Sequence, residues 1–415
     1  MTHEALALPA DTSTHPWFRP LSLSTSSGLR PPERVARTPA DTAGSSIKAF
    51  DAADEYLLHE FSRRNLELGT QVLVVNDRFG ALASALADKY QVTTWGDSFL
   101  SFGSAAANLA SNHIEPTDVT FLPSTSSPNS GDLRAPFAAI LIRVPKSLSL
   151  LEHQLHEIRS VVEAQVPVIC AGMEKHLSRR VNTLLEELIG APTASLGWRK
   201  ARLIVACAES EVINDRRESP FPSSYVLAEV KPTLTLFNYA GVFSRTGLDL
   251  GTRTMLPFLT HDLGVARNPD KSLQVADLGC GNGIIGIISA RSNPEAEYTF
   301  FDESFLAMRS TEENWRAAFP GRPAKFVCGD AMADTPPDTF DVIFCNPPFH
   351  QDHAVGDETA WRMFLSAHRS LGPTGSFLVV GNRHLNYHHK LRRLFGRADQ
   401  LGGSPKFVVL HAERT

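Results

Sequence analysis

Short apolar runs alternate with amphipathic stretches along the first half of the chain. The runs Gln71–Asn76 and Ala138–Val144 are dominated by Val, Leu, Ile and Ala, which is typical of strands buried on both faces of a parallel sheet. Segments with helical spacing of apolar positions separate the runs, so the pattern predicts a doubly wound α/β sheet. Helices are predicted over Ala81–Lys89, Ser101–Asn112 and Ser149–Val162, and further strands over Val92–Trp95 and Val166–Cys170.

A second alternation of the same kind begins near Val242 and continues to the end of the chain. Because the two halves have similar patterns, we expect two similar domains in tandem. Strands of the second half are predicted at Leu273–Ala276, Tyr298–Phe301, Lys325–Cys328 and Phe340–Cys345.

Two segments interrupt the α/β pattern. The first 48 residues are rich in Ser, Thr and Pro without helical or strand periodicity, and a polar, proline-bearing segment spans Glu209–Pro222. Such compositions are typical of disordered tails and linkers. The predicted organisation is a disordered tail over 1–48, a first domain over 49–215, a linker over 216–237 and a second domain over 238–415.

Composition restricts the class of protein. Of 415 residues, 42% are hydrophobic and 20% charged, and the net charge is −5 at pH 7; most of the chain should therefore fold, and it is not a polycation that coats nucleic acid. Five cysteines without a Cys-x-x-Cys pair favour a reducing compartment over disulfides or a zinc module. We expect a cytoplasmic protein without membrane or metal partners, and a monomer as the simplest state.

Candidate chemistry begins after the first strand of the second half, in Asp277-Leu-Gly-Cys-Gly-Asn-Gly283. Three glycines permit a sharp strand-to-helix turn and let a ligand approach the backbone where a Cβ would obstruct it. They are Gly279, Gly281 and Gly283. The corresponding loop of the first half, Asn76-Asp-Arg-Phe-Gly80, lacks this pattern. A small-molecule site is therefore predicted in the second half, although such a loop also suits dinucleotides.

Two acids follow at the ends of the next two strands. Asp302 is placed to accept hydrogen bonds from both hydroxyls of a ribose, and Asp330 to bind the exocyclic amine of an adenine. Asp277, with no Lys or Arg nearby, suits the amino-acid end and sulfonium of S-adenosylmethionine better than a pyrophosphate. This order resembles the class I S-adenosylmethionine-dependent methyltransferases; dinucleotide binding is the alternative.

The fourth strand of the second half leads into a tetrapeptide that indicates the reaction. Two prolines fix the backbone and remove two N–H donors, so carbonyls can face outward beside the Asn side chain. The sequence resembles the Asn-Pro-Pro-aromatic motif of enzymes that methylate amino groups of adenine, guanine or glutamine. The candidate catalytic residues are Asn346, Pro347, Pro348 and Phe349. A rigid loop without function is the alternative.

A basic, aromatic-bearing segment, Gly381–Gly396, stands out in this acidic protein. Cations and rings of this kind bind phosphates and stack on bases. The predicted RNA-binding residues are Arg383, Tyr387, Lys390, Arg392 and Arg393. Alternatively, apolar positions such as Leu391 and Phe395 bury one face of a helix whose charges are merely solvated.

Several stretches together resemble the RlmG and RsmC family of ribosomal RNA guanine-N2 methyltransferases, with RlmG the closer match. In the second half these are Val242–Arg253, Asp277–Gly283, Asn346–His353 and Asn382–Tyr387; in the first half they are Val75–Gly80, Gly96–Ser98, Val144–Lys146 and Trp198–Arg202.

The resemblance implies two tandem class I, Rossmann-like methyltransferase domains, of which the first has lost its cofactor site and helps to hold RNA. It further implies that S-adenosylmethionine donates a methyl group to N2 of one guanine in 23S rRNA. Three alternatives stay open: a guanine in 16S rRNA, glutamine methylation of release factors, and a non-catalytic RNA-binding assembly factor. The last would require a cofactor site without methyl transfer.

Overall fold

The structure, a computed structural model, describes residues 50–128, 136–215, 217–259, 271–348 and 353–414, with the backbone alone for 353–357. The chain divides into two compact units, and the boundary lies between Pro220 and Phe221. The tail predicted over 1–48 lies outside the described residues. Within the described ranges, no helix combines the length and apolar character that crossing a bilayer requires.

The first unit is built around one mixed sheet. Its strands are β1 (Gln71–Val75), β2 (Gln91–Gly96), β3 (Val119–Pro123), β4 (Phe137–Arg143), β5 (Pro167–Met173), β6 (Pro192–Ala194) and β7 (Ala201–Cys207). Its helices are α1 (Ala52–Ser62), α2 (Ala81–Leu86), α3 (Phe99–Ser111), α4 (Leu148–Ile158), α5 (Arg179–Leu188) and α6 (Ser210–Ile213).

The strands of this sheet lie in the order β3-β2-β1-β4-β5-β7-β6. The first five run parallel, while β7 is antiparallel to β5 and to β6. Side chains of the central strands enter two apolar clusters, one on each face of the sheet. Burial on both faces explains why these strands appear in the sequence as continuous apolar runs. The α/β sheet predicted for the first half is confirmed.

The second unit repeats this plan after a hairpin. Its strands are β8 (Ser223–Leu227), β9 (Leu234–Asn238), β10 (Gln274–Leu278), β11 (Glu297–Asp302), β12 (Lys325–Cys328), β13 (Phe340–Cys345), β14 (Leu371–Asn382), β15 (Asp399–Gly403) and β16 (Phe407–Glu413). Its helices are α7 (Leu250–Met255), α8 (Ile284–Ser292), α9 (Phe305–Ala318), α10 (His353–Ser370) and α11 (Tyr387–Phe395).

The main sheet of the second unit has the order β12-β11-β10-β13-β14-β16-β15. This order matches that of the first sheet strand for strand. Like β7 in the first sheet, β16 is antiparallel to both of its neighbours, here β14 and β15. The pairing register is also the same. Val75, the last residue of β1, pairs with Trp95 and Ile142. Leu278, the last residue of β10, pairs in the same way with Phe301 and Cys345. Equivalent positions of the two units can therefore be compared directly, and the predicted tandem arrangement is confirmed.

The linker expected over 216–237 is not an irregular connection. Residues Ser223–Leu227 and Leu234–Asn238 pair as the antiparallel hairpin β8–β9. Leu227, Leu234 and Leu236 are buried in the core of the second unit. The apolar residues of this hairpin do not alternate strictly, since Val226 is apolar yet 60% exposed, and a strand pattern was therefore hard to recognise in the sequence. The second unit thus begins before residue 238.

Candidate active site

The glycine loop between β10 and α8 has a backbone that side chains would disturb. Gly279, Gly281 and Gly283 have φ of 73°, 58° and 79°, in the left-handed region that favours glycine. The N–H groups of Gly279 and Cys280 donate to the carbonyl of Phe301 at 2.8 and 3.0 Å. The predicted turn is therefore present, and its first residues are hydrogen-bonded to the neighbouring strand β11.

Asp277 lies beneath this loop. It is 0% exposed, and its Oδ2 accepts a hydrogen bond from the Gly286 N–H at 2.8 Å. Its Oδ1 has no hydrogen-bond partner in the described part of the chain. Burial raises the pKa of Asp277 to about 7, although the Gly286 N–H opposes this shift. The carboxyl group anchors the first turn of α8 and keeps one oxygen for a further donor.

Asp302 ends β11 and also supports the glycine loop. Its Oδ2 accepts from the Gly281 N–H at 2.9 Å and its Oδ1 from the Ser304 N–H at 3.0 Å. Burial raises the pKa of the Asp302 carboxyl. The acid predicted to bind a ribose is thus fixed in place by backbone donors.

Asp330 follows β12 and forms an ion pair that the sequence did not predict. Its Oδ1 accepts from the guanidinium of Arg362 on α10. The Asp330 side chain is 15% exposed and that of Arg362 is 42% exposed. Any bond from Asp330 to an adenine amine would share the carboxylate with this arginine.

Asn346 directly follows β13, and the nitrogen of its side-chain amide is fixed by a hydrogen bond. Its Nδ2 donates to Oγ1 of Thr252 on α7 at 2.9 Å. Its Oδ1 is buried and lacks a hydrogen-bond partner among the described residues. Pro347 is buried and Pro348 exposed, while Phe349 lies outside the described residues. One fixed acceptor oxygen is therefore available at the end of β13.

Thr252 is a site residue that sequence reasoning missed. Asp249 caps the N-terminus of helix α7 and accepts from the N–H groups of Gly251 and Thr252 at 2.8 and 3.0 Å. Ser244 Oγ donates to Asp249 at 3.2 Å. These contacts fix the position of Thr252, which is 2% exposed. The only sequence signal was that Val242–Arg253 resembles the family; it assigned no role to single residues.

Helix α11 separates the predicted RNA-binding residues into two groups. Tyr387 is 2% exposed and packs edge-on against Phe364 with ring centroids 5.1 Å apart. The prediction that Tyr387 stacks on a base is therefore wrong. Tyr387, Leu391 and Phe395 follow each other at intervals of four residues and form the buried face of the helix, as amphipathic helices require.

The cations of this region remain at the surface. Arg392 and Arg393 are exposed, and the Arg393 guanidinium lies 5.8 Å from the ring centroid of Trp361. Lys390 is partly buried, with its Nζ 5.6 Å from the centroid of the Tyr387 ring. Arg383 is exposed and donates from Nε to the carbonyl of Ser404 at 2.8 Å. The cations of the predicted RNA-binding set therefore still form a basic surface, to which the buried Tyr387 does not contribute.

The equivalent site of the first unit is closed by its own side chains. Asn76 stands where Gly279 stands in the second unit, and its amide exchanges two hydrogen bonds with Gln154, at 2.9 and 2.8 Å. Arg143 takes the position of Asn346 and forms ion pairs with Asp51 and Asp54.

One feature of the site survives in the first unit at another position. Asp77 lies in the loop and not in the strand, yet its Oδ2 accepts from the Ala83 N–H at 2.8 Å, as Asp277 does from Gly286. Burial raises the pKa of Asp77 to about 7. The carboxylate that anchors the helix is retained, whereas the glycine loop is lost.

Family comparisons agree with this division. The family described as RLMG N-terminal domain matches residues 31–211, and the methyltransferase small domain matches residues 233–411. The fold is similar to that of the T. thermophilus 16S rRNA N2-guanine methyltransferase RsmC, solved with AdoMet and guanosine, with a TM-score of 0.69, 20% identity and coverage of 88% of this chain and 92% of that one. The chain is an S-adenosylmethionine-dependent methyltransferase.

Two relatives define the family more narrowly. A protein of Pseudomonas aeruginosa (strain UCBPP-PA14) is 47% identical over 369 residues, covering 89% of this chain and 94% of its own length. One from Stutzerimonas stutzeri (strain A1501) is 47% identical over 366 residues, covering 88% and 93%. Both are named ribosomal RNA large subunit methyltransferase G. The chain belongs to this family.

The described residues fit the cofactor. Oδ1 of Asp277, which has no partner in the described ranges, offers an acceptor to an ammonium group, and the left-handed glycines leave the backbone accessible. The same part of the chain holds no group of three or more His, Cys, Asp or Glu side chains that could bind a metal ion.

Proposed function

We propose that the chain transfers a methyl group from S-adenosylmethionine to the exocyclic N2 amine of one guanine in 23S rRNA. The observation that carries this proposal is the buried Oδ1 of Asn346, which has no hydrogen-bond partner among the described residues, while Nδ2 of the same amide is held by Thr252. The names of the two relatives support ribosomal RNA of the large subunit as substrate. Such a substrate would place the activity in the cytoplasm.

The cofactor would lie along the carboxyl ends of β10, β11 and β12. Gly279, Gly281 and Gly283 would let its amino-acid end approach the backbone, and Asp277 would accept from its ammonium group. Asp302 would accept from the ribose hydroxyls and Asp330 from the adenine amine. When bound, the sulfonium supplies an electrophilic methyl carbon.

The acceptor amine would be activated by geometry. An exocyclic amine is planar and weakly nucleophilic, since its lone pair is delocalised into the ring. Asn346 Oδ1 and the Pro347 carbonyl would accept its two N–H bonds and favour a pyramidal nitrogen whose lone pair faces the methyl carbon. These dipoles are already oriented for the positive charge that develops on nitrogen. Pro348 stiffens the turn, and Phe349 would stack on the base.

Alignment of the two reactants supplies much of the rate. Holding donor and acceptor in line can lower the barrier by about 7–11 kcal/mol, so neither a metal nor a titrating base is needed in this proposal. A base within a duplex cannot enter such a site, so the target guanine would lie in a loop or be extruded from its stack.

RNA would be held by cations outside the site. Arg383, Lys390, Arg392 and Arg393 offer contacts to phosphates. The first unit would help to hold RNA, as the resemblance to the family implies, and its cofactor position is filled by the Asn76–Gln154 pair. We infer no methyl transfer there.

The test is to map methylated guanines by mass spectrometry in rRNA from a strain that lacks the gene, and to restore the missing group with purified protein. We expect one N2-methylguanine to disappear from 23S rRNA and to return only with active protein. A missing group in 16S rRNA would favour the small-subunit alternative. Binding of labelled cofactor without transfer to any RNA would favour an assembly factor.

A further inference from the structure

Three neighbouring strands of the second unit each end near a buried acceptor oxygen. The oxygens are the Oδ1 atoms of Asp277, Asn346 and Asn382, and none has a hydrogen-bond partner in the ranges that the structure describes. Asp277 belongs to β10, Asn346 follows β13 and Asn382 ends β14, and these strands are adjacent in the order β10-β13-β14. Leaving a buried acceptor unpaired is costly, so each of these oxygens requires an explanation.

The three side chains lie on the same face of the sheet. Val275, Phe344 and Val380 belong to one core cluster. Side chains two positions further along a strand point to the same side, and these positions are Asp277, Asn346 and Asn382. Asn382 is 4% exposed, so its amide lies within the protein near the end of β14.

The register places Asn382 beyond Asn346. Cys345 pairs with Val379, so Asn346 is level with Val380 and Asn382 lies two residues further toward the carboxyl edge. With about 3.3 Å per residue and about 4.8 Å between strands, the two asparagine Cα atoms are separated by roughly 8 Å. Acceptors at this spacing can contact two adjacent N–H groups on one edge of a flat base.

The first unit, whose cofactor position is closed, lacks all three acceptors. By the shared register, its equivalent residues are Val74, Arg143 and Met173. Arg143 there serves the ion pairs with Asp51 and Asp54. The three acceptors are thus present in the unit that has the glycine loop and are replaced in the unit that lacks it. Because both units have the same fold, the fold itself does not require Asn382, and we associate this residue with the site.

We propose that Asn382 Oδ1 accepts a hydrogen bond from the ring N1–H of the target guanine and so selects guanine over other bases that carry an amine. This inference rests on the proposed function. Guanine presents N1–H beside its N2 amine, whereas adenine N1 and cytosine N3 are acceptors beside theirs. An acceptor facing another acceptor leaves both unpaired, and sites of this kind discriminate strongly.

The experiment compares bases that differ at N1. Once the methylated position is mapped, RNA fragments are synthesised with guanine, 2-aminopurine or 6-thioguanine at that position. 2-Aminopurine keeps the amine but lacks N1–H, while 6-thioguanine keeps N1–H and changes only the oxygen at position 6. We expect kcat/KM to fall at least about tenfold, or about 1.4 kcal/mol, for 2-aminopurine and less than about threefold for 6-thioguanine.

The matched variant is Asn382→Met, since Met173 occupies this position in the first unit. It should lose activity on guanine but little on 2-aminopurine, so that the preference between them falls below about threefold while cofactor binding is unchanged. An unaltered preference in the variant would overturn the proposal. Equal use of guanine and 2-aminopurine by the unmodified protein would also overturn it, even if the variant failed to fold. Absence of any guanine methylation would instead refute the proposed function.

Discussion

Nδ2 of Asn346 donates a 2.9 Å hydrogen bond to Oγ1 of Thr252, whose own backbone N–H is held by Asp249. This contact decides which end of the Asn346 amide faces the site. With the NH2 group engaged, the carbonyl oxygen is the end left for an acceptor amine. Thr252 is thus a positioning residue that acts through Asn346.

Replacing Thr252 with Val removes the hydroxyl while nearly preserving the shape of the side chain. The Asn346 amide can then rotate, and a small misplacement in such a site can cost about a hundredfold in rate. We expect kcat of Thr252→Val to fall about ten- to a hundredfold, with KM for S-adenosylmethionine unchanged, in steady-state methylation of 23S rRNA.

The control is Thr252→Ser, which keeps the hydroxyl and should restore kcat to within about threefold of the unmodified protein. A serine variant as slow as the valine variant would assign the effect to lost packing. Normal turnover of the valine variant would mean that Thr252 does not orient the amide.

Removing the acceptor itself should have the larger effect. In Asn346→Ala the oxygen that stabilises the developing charge is lost, and loss of one oriented group of this kind costs about a hundredfold or more in kcat. Cofactor affinity should stay within about threefold, because Asn346 does not contribute to the glycine loop. Single-turnover kinetics and calorimetric titration measure the two quantities. Turnover close to normal would rule out the proposed acceptor pair.

The sequence allowed prediction of those candidate site residues that directly follow the end of a strand or lie at it. The glycine loop, Asp302 and Asn346 were predictable, because strand ends of a parallel sheet meet at one edge. Thr252 was not, because its contact with Asn346 joins residues far apart in the sequence.

Tyr387 was misassigned for a related reason. A tyrosine among arginines and histidines resembles a stacking platform, but its partner Phe364 lies on another helix and determines its burial. The hairpin β8–β9 was missed because its apolar residues lie on both faces, and only the packed core shows that Leu227, Leu234 and Leu236 are the buried ones. Tertiary partners decided both outcomes.

The pH dependence of cofactor binding should reflect Asp277. Its pKa of about 7 means that the carboxyl is largely neutral below that pH in the free protein. A cationic cofactor favours the ionised form, so affinity should fall as pH decreases below 7, by up to about tenfold per unit. Calorimetric titration between about pH 5.5 and 8 measures this slope, and Asp277→Asn should flatten it. A slope unchanged in the variant would assign the titration to another group.

Asp77 provides the matched control, since it is buried in the first unit with a pKa of about 7 as well. Asp77→Asn should leave the pH profile of cofactor binding unchanged. Because the folded pKa lies above the ordinary value of 3.8, the native state binds more protons between these two values. The contribution of Asp77 to the free energy of unfolding therefore decreases as pH rises from about 4 to about 7. Urea unfolding of the variant should lack this component.

RNA binding should depend on the exposed arginines of α11 and not on its tyrosine. Each phosphate contact adds about 0.7–0.9 to the slope of log affinity against log salt concentration. Replacing Arg392 and Arg393 with Ala should therefore weaken binding to 23S rRNA and reduce the slope by roughly 1.4–1.8. The control replaces Arg316 and Lys325, exposed cations elsewhere in the second unit, and should leave the slope unchanged. If both double variants had the slope of the unmodified protein, the charges of α11 would be merely solvated.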